Sequence, residues 1–150
     1  MKKLVPLLAC LVALVASCSL FFGEKRTVSI TVQHLETALE SNDGVGEDWL
    51  APAYLVNGQA LASGQSATVE CTTWDNLIVN AQHEESDDAY PDVGSKEYKE
   101  AVYSLIKRQG LSGGLTLYTT VYERRGTTIG PDAATAIWKD SFMVTITYQD

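Results

Sequence analysis

The chain has 150 residues, of which 45% are hydrophobic, and its 11 Lys and Arg against 19 Asp and Glu give a formal net charge of −8. This length suits one ordinary domain with a substantial core. An acidic chain repels phosphate backbones at long range, which argues against a nucleic-acid partner.

The first residues have the pattern of a secretory signal. Lys2 and Lys3 open the chain, and residues 4–16 are apolar throughout, with Pro6 among them. A charged start followed by an apolar segment of this length is typical of a signal peptide. A helix of these residues is too short to cross a hydrocarbon core about 30 Å thick, so a transmembrane anchor is the less favoured alternative.

The end of the apolar run resembles the lipobox of bacterial lipoproteins. Val15-Ala16-Ser17-Cys18 places a branched apolar residue and two small residues before a cysteine. The resemblance implies cleavage before Cys18, a diacylglyceryl group on its thiol and an acyl chain such as palmitate on the new amino group. Cys10 also follows small and apolar residues, but cleavage there would leave a very short apolar run. An ordinary signal peptide cut near Ser17, with the thiol unmodified, is the remaining alternative.

The lipobox divides the chain into a signal peptide (1–17), a lipidated cysteine with a short linker (18–26) and one domain (27–150). The resemblance implies the bacterial cell envelope as the location, with the covalent lipid as the contact to the membrane. Two or more acyl chains hold a protein stably at a bilayer. Ser19 stands where Asp marks inner-membrane retention in enteric lipoproteins, so the outer membrane is favoured over the inner one.

Loss of the signal peptide makes the remaining chain more acidic. Lys2 and Lys3 leave with it, so 9 basic residues face 19 acidic ones, a net charge of −10. Such a domain also repels anionic head groups at long range. A cation or a basic partner is favoured only weakly, because acidic surfaces mostly serve solubility.

The domain begins with a strand pattern. Residues 27–32 alternate apolar and polar side chains, which predicts a half-buried strand. Leu35 breaks the alternation, so we expect a bulge near Gln33 and His34. As a strand residue, His34 is predicted to lie in the core or at its rim and not to act as a base.

Short strands are predicted to follow an acidic, glycine-containing loop at 40–48. Asn57-Gly58 is the sequence of a type I′ hairpin turn, in which both central residues need a positive φ. Pro52 predicts an edge or a bulge. Cys71 lies in a strand pattern and is predicted to be a buried, inert thiol. The predicted strands are 49–56, 59–61, 67–73 and 77–80.

Residues 83–94 carry five carboxylates and a proline and are predicted to form an exposed loop in which His83 is solvated. A metal site made of His83 and these carboxylates is the alternative. Ser95 is a candidate cap for a following helix. Apolar residues from Tyr98 to Ile106 have helical spacing, and Gly110 can end that helix in the left-handed conformation.

Two further strand patterns, at 115–122 and 142–148, come near the end of the chain, with a short helical turn predicted within 131–138. Several short strands joined by turns, with one inserted amphipathic helix, predict a mostly β fold, an antiparallel β-sandwich. Tyr118 and Tyr122 share one face of their strand and would form a sugar-stacking platform if exposed. Core packing is the favoured prediction for them.

Two segments loosely resemble the calcium-binding loops of C2-type sandwiches. A strand ending at Leu35 leads into the acidic 42–48 loop, and residues 117–123 lead into a second loop at 129–130. Calcium takes six to eight oxygen ligands. The departures are Trp49, where the family has proline, and Arg124 and Arg125, where it has further acidic residues. The ligands that the resemblance implies are Asp43, Glu47, Asp48 and Glu123, with Asp132 as a further candidate.

The sequence lacks the common catalytic motifs: Gly-x-Ser-x-Gly, His-Glu-x-x-His, a phosphate-binding glycine loop and Cys-x-x-Cys. We therefore predict a non-enzymatic binding or envelope-structural module, with an envelope protein or a glycan as partner and no cofactor other than the calcium that the C2 resemblance implies. A calcium-dependent C2-like adhesion or scaffold module is one alternative. A hydrolase is the other, and it would place His34 or His83 within hydrogen-bonding distance of Ser, Cys71 or a carboxylate in a pocket.

Overall fold

A computed structural model describes residues 23–86, 90–125 and 127–150. The predicted signal peptide, Cys18 and the first part of the linker lie outside these residues. Within the described residues the chain forms ten strands and one helix. In chain order they are β1 (Thr27–Asn42), β2 (Ala53–Val56), β3 (Gln59–Leu61), β4 (Ser66–Thr72), β5 (Asn76–Glu85), β6 (Asp92–Ala101), α1 (Val102–Gln109), β7 (Ser112–Tyr122), β8 (Arg124–Arg125), β9 (Thr128–Ile129) and β10 (Thr135–Tyr148).

Two antiparallel sheets pack face to face, which confirms the predicted β-sandwich with one helix. One sheet has the strand order β4-β1-β10-β7 and the other β3-β2-β5-β6, while β8 and β9 form a separate hairpin. The inward positions of the strands fill the space between the sheets. Val28 and Ile30 of β1 meet Leu77 and Val79 of β5 there, all without solvent exposure. Full burial of each such side chain contributes about 1.5–3 kcal/mol.

The predicted bulge in β1 is present, one residue later than expected. The register between β1 and β10 shifts between His34 and Glu36, with Leu35 as the extra residue. The shift returns Thr37 to the inward side, three residues after His34. The strand then runs on through residues predicted to be a loop, because β10 pairs with it as far as Asn42.

The prediction of an exposed loop at 83–94 is wrong at both ends of that range. β5 extends to Glu85 and β6 begins at Asp92, and these two residues are opposite each other in the sheet. His83, Glu85 and Asp92 are all buried. His83 and Glu85 continue the inward alternation of β5 that begins at Leu77, and Asp92 lies opposite Glu85 on β6. Their polarity therefore did not indicate exposure.

The predicted helix is confirmed at its end and wrong at its start. Residues 95–101, including Ser95 and Tyr98, belong to β6, because pairing with β5 over ten residues outweighs the local helical spacing. The N-cap residue of α1 is Ala101, without a side-chain cap hydrogen bond. Gly110 follows the helix with φ 77° and donates its N–H to the Ile106 carbonyl.

The hairpin prediction is confirmed, whereas two neighbouring boundaries are not. Asn57 and Gly58 have φ values of 47° and 82° and join β2 to β3. The strand predicted at 49–56 begins only at Ala53, and Trp49 forms an isolated bridge with Glu85. The helical turn predicted within 131–138 is wrong, since β10 begins at Thr135 and gains both β1 and β7 as neighbours.

Candidate functional site

A group of buried polar side chains surrounds Asp140 of β10, which is completely inaccessible to solvent. Thr37 reaches it from β1, the neighbouring strand of the same sheet. Tyr54 of β2 and His83 of β5 reach it from the opposite sheet. The hydrogen bonds of Asp140 therefore cross the sandwich and join its two sheets.

Both carboxylate oxygens of Asp140 have partners. Oδ1 accepts hydrogen bonds from the hydroxyl groups of Tyr54 and Thr37, at 2.8 and 2.9 Å. Oδ2 lies 2.8 Å from Nε2 of His83. The Thr37 hydroxyl also contacts the Tyr54 hydroxyl and lies 2.8 Å from Nε2 of His34.

The hydrogen bonds of His34 define its protonation state. Nδ1 accepts the backbone N–H of Gly64 at 2.9 Å, so it carries no proton. The proton of the neutral ring is then on Nε2, which donates to the Thr37 hydroxyl. Burial lowers the pKa of His34, against an opposing influence of the Asp140 charge. His34 is therefore a neutral member of the network.

Asp140 is the negative charge of the group. Burial alone would raise the pKa of Asp140, but hydrogen bonds from His83, Tyr54 and Thr37 more than offset this, and the pKa is lowered. Burial raises the pKa of Tyr54 well above its ordinary value. At neutral pH the carboxylate accepts and the hydroxyl groups donate, as the distances require.

Aromatic rings enclose this network. Tyr54 stacks on His34 with ring centroids 4.6 Å apart, and Trp138 stacks on His83 at 4.7 Å with an angle of 4° between the planes. Trp49 then meets Trp138 edge to face at 5.1 Å. His83 is only 2% exposed. The arrangement fixes a carboxylate in the core and leaves it no contact with solvent.

The carboxylates predicted from the C2 resemblance lie at one end of the sandwich. Asp43, Glu47 and Asp48 are exposed in the loop between β1 and β2, while Glu123 and Asp132 lie between β7 and β10. The N–H group of Asp43 donates to the carbonyl of Thr135, the first residue of β10, and that of Glu123 donates to the carbonyl of the preceding residue, Ala134. Glu123 and Asp132 line an open pocket of about 290 Å³ together with residues 130, 131 and 133.

Although these carboxylates lie at the same end of the sandwich, they do not form a set of metal ligands. Among the residues that the structure describes, no group of three or more His, Cys, Asp or Glu side chains is placed to hold a metal ion. His83, which the alternative metal site would use together with nearby carboxylates, places its Nε2 atom against Asp140 instead. The calcium site remains a prediction from the resemblance.

Cys71 has a free thiol and packs partly buried against the core. Burial raises the pKa of this thiol, and the nearby negative charge of Asp75 raises it further. A raised pKa leaves less thiolate, the reactive form of cysteine, at neutral pH. The geometry thus agrees with the predicted inert thiol, although its burial is only partial.

Tyr118 and Tyr122 do not pack in the core, so the favoured prediction for them is wrong. They are 55% and 43% exposed on the outer side of β7. The inward positions of this strand are taken by Leu117 and Thr119 among others. Each sheet of the sandwich buries its inner side, and the outer side of β7 faces solvent.

Sequence reasoning missed Thr37, Tyr54 and Asp140, although a signal for two of them exists. Asp140 continues the inward alternation of Phe142 and Val144, and Tyr54 has the same parity as Val56. A polar residue at an inward position of a strand must find partners within the protein. No family model matches the sequence, and no curated protein matches it significantly.

Removal of the Asp140 carboxylate should strongly destabilise the fold. We expect Asp140→Ala to lower the free energy of unfolding by about 3–5 kcal/mol, because its buried partners lose their acceptor. Tyr54→Phe should cost about 1.5–3 kcal/mol through one lost bond to a charged group. Lys139→Ala is the control, with an expected change within about 0.5 kcal/mol. Urea unfolding measures all three, and an Asp140→Ala protein as stable as the control would contradict the structural role.

Stability should also decline as the pH falls below the ordinary histidine pKa of 6.5. The folded state lowers the pKa of His34, so the unfolded chain takes up a proton that the folded chain does not. This contribution is complete above pH 6.5 and is lost as the pH falls toward the folded pKa. The lowered pKa of Asp140 adds a second decline, which begins only below its ordinary value of 3.8.

His34→Gln separates the two declines. The glutamine amide can accept from Gly64 and donate to Thr37 but has no proton to gain. We expect urea titrations over a pH series to show a smaller first decline in this variant and an unchanged second one. The assignment to His34 fails if the first decline keeps its full size.

Proposed function

We propose that this protein is a lipid-anchored component of the bacterial cell envelope, favoured at the outer membrane, whose β-sandwich binds or supports an envelope partner and catalyses no reaction. One observation carries the proposal. The sequence Val15-Ala16-Ser17-Cys18 ends an apolar run that follows Lys2 and Lys3. A signal peptide with a lipobox accounts for all of these features together.

The start of the domain supports a short connection to the membrane. The Gly23 carbonyl accepts the indole N–H of Trp74 at 3.3 Å, and the Glu24 carbonyl accepts the Thr73 hydroxyl at 2.8 Å. Contacts with the domain thus begin four residues before the predicted boundary at Thr27. The five residue steps from Cys18 to Gly23 span at most about 18 Å. A lipid on Cys18 would therefore hold the domain at the membrane surface, where an envelope partner is within reach.

The burial of the ionisable network argues against catalysis at its residues. The distance between His83 and Asp140 meets the first requirement of the hydrolase alternative. The second requirement, a pocket that admits substrate, is not met at these residues, since His83 is 2% and Asp140 0% exposed.

The part of the chain that the structure describes contains no helix of the length and apolarity needed to cross a membrane.

Replacement of Cys18 tests the anchor. We expect the wild-type protein to incorporate radiolabelled palmitate and to fractionate with membranes, and Cys18→Ala to lose both the label and the membrane association. Cys10→Ala is the matched control and should behave as wild type, because its thiol leaves with the signal peptide. Equal labelling of wild type and Cys18→Ala would contradict the proposal.

The exposed tyrosines favour a glycan as the partner. Tyr118 and Tyr122 lie on the same side of β7, four residues apart, which corresponds to about 13 Å along a strand. Exposed tyrosine rings offer an apolar face for stacking and a hydroxyl group for hydrogen bonding. Two such rings in line would suit non-adjacent sugars of one extended chain.

Co-sedimentation with purified peptidoglycan tests this partner. We expect the wild-type protein to sediment with the glycan and the double variant Tyr118→Ala with Tyr122→Ala to remain in the supernatant. Tyr90→Ala, which removes another exposed tyrosine, is the control and should sediment normally. If the double variant sediments as well as wild type, the platform is not the binding surface, and a wild-type protein that does not sediment would point to an envelope protein.

A further inference from the structure

The two ends of the sandwich differ in their side chains. We define the anchor end as residues 23–26, the turn at 73–75, the helix α1 and the C-terminal end of β10. The loop end, at the other extreme of the strands, consists of residues 43–52, the ends of β5 and β7, and the segments 123–125 and 127–134. The anchor end is where the chain enters from the predicted lipid.

Trp74 is the most prominent apolar side chain of the anchor end, with 50% of its surface exposed. Its indole N–H donates to the Gly23 carbonyl, and the ammonium group of Lys25 lies 5.9 Å from the ring centroid. The polar atom of the ring thus has a partner while much of the ring remains open. A tryptophan with one satisfied polar atom and an exposed ring is typical of the membrane–water interface.

Charge also distinguishes the two ends. The cations of the anchor end are Lys25, Arg26, Lys107 and Arg108, and its carboxylates are Glu24, Asp75 and Asp150. Asp75 accepts two hydrogen bonds from Thr72 within its own turn, and Arg108 binds Glu100. The loop end instead carries an excess of carboxylates over its two cations Arg124 and Arg125, so anionic head groups would repel the anchor end least. These carboxylates include Asp43, Glu47, Asp48, Glu84, Glu123 and Asp132.

The length of the domain sets its orientation. β1 contains 16 residues and therefore separates the loop end from the anchor end by at most about 50 Å along the strand. The connection from Cys18 to Gly23 is much shorter, at most about 18 Å. A lipid on Cys18 thus brings the anchor end to the bilayer and leaves the acidic loops far from it.

We propose that the anchor end docks on the lipid surface, with the Trp74 ring at the boundary between head groups and acyl chains and Lys25 and Lys107 directed toward lipid phosphates. This docking rests on the proposed lipid anchor and specifies which surface of the domain meets the membrane. It leaves the loop end facing away from the bilayer, toward an envelope partner.

Quenching of tryptophan fluorescence by brominated lipid tests the docking. The full chain, produced with its own signal peptide, is reconstituted into vesicles of phosphatidylethanolamine and phosphatidylglycerol with phosphatidylcholine that has brominated acyl chains. Vesicles without bromine provide the reference. Wild type is compared with Trp74→Phe, and the difference between them is the emission of Trp74. A second variant combines Trp74→Phe with Leu50→Trp and places an indole at a half-exposed position of the loop end.

We expect bromine to reduce the Trp74 emission and to leave the indole of the Leu50→Trp variant unaffected. Protein that floats with the vesicles but shows no quenching of Trp74 would overturn the docking and leave the lipid anchor intact. Quenching at position 50 instead would show that the loop end meets the bilayer, which also overturns it. Protein without lipid that does not float would overturn the anchor itself, and the docking with it.

Discussion

The buried charge of Asp140 constrains the architecture around it. An isolated carboxylate in a protein core costs several kcal/mol, so partners must arrive from the surrounding strands. The bulge at Leu35 delivers Thr37 to the inward side of β1, and the register of β2 delivers Tyr54. The extension of β5 beyond its apolar part delivers His83. A purely apolar core would need none of these local features. The hydrogen bonds that they allow fix the position of one sheet on the other.

Much of the fold could be predicted from local patterns, because apolar alternation and turn chemistry act over a few residues. The Asn57-Gly58 turn, the end of the helix at Gly110 and the bulge after His34 all follow from such patterns. The errors at 83–85 and 92–101 have one physical origin. Residues 83–85 and 92–101 were assigned by polarity or helical spacing, whereas pairing between β5 and β6 decides their structure. Long-range pairing also places Asp140 beside His83, and no short stretch of sequence contains that information.

The proposed function depends on the distance between the anchor end and the loop end of the sandwich. Long antiparallel strands place the chain entry at one end and the acidic loops at the other, with the Asp140 network between them holding the sheets together. A sandwich on a short lipid tether would hold its outer surfaces at defined heights above a bilayer. In the proposed lipid-anchored protein, the exposed tyrosines of β7 and the loop carboxylates would face the envelope, and Trp74 and its neighbouring cations would face the lipid.

Mass spectrometry of the N-terminal peptide of the mature protein tests the central claim most directly. The lipid-anchor account predicts a chain that begins at Cys18, with a diacylglyceryl group on the thiol and an acyl chain on the amino group. A mature chain that begins near Ser17 or later and carries no lipid, or a chain that retains Met1, would contradict it. The sandwich would then keep its fold but lose the membrane attachment from which its orientation is inferred.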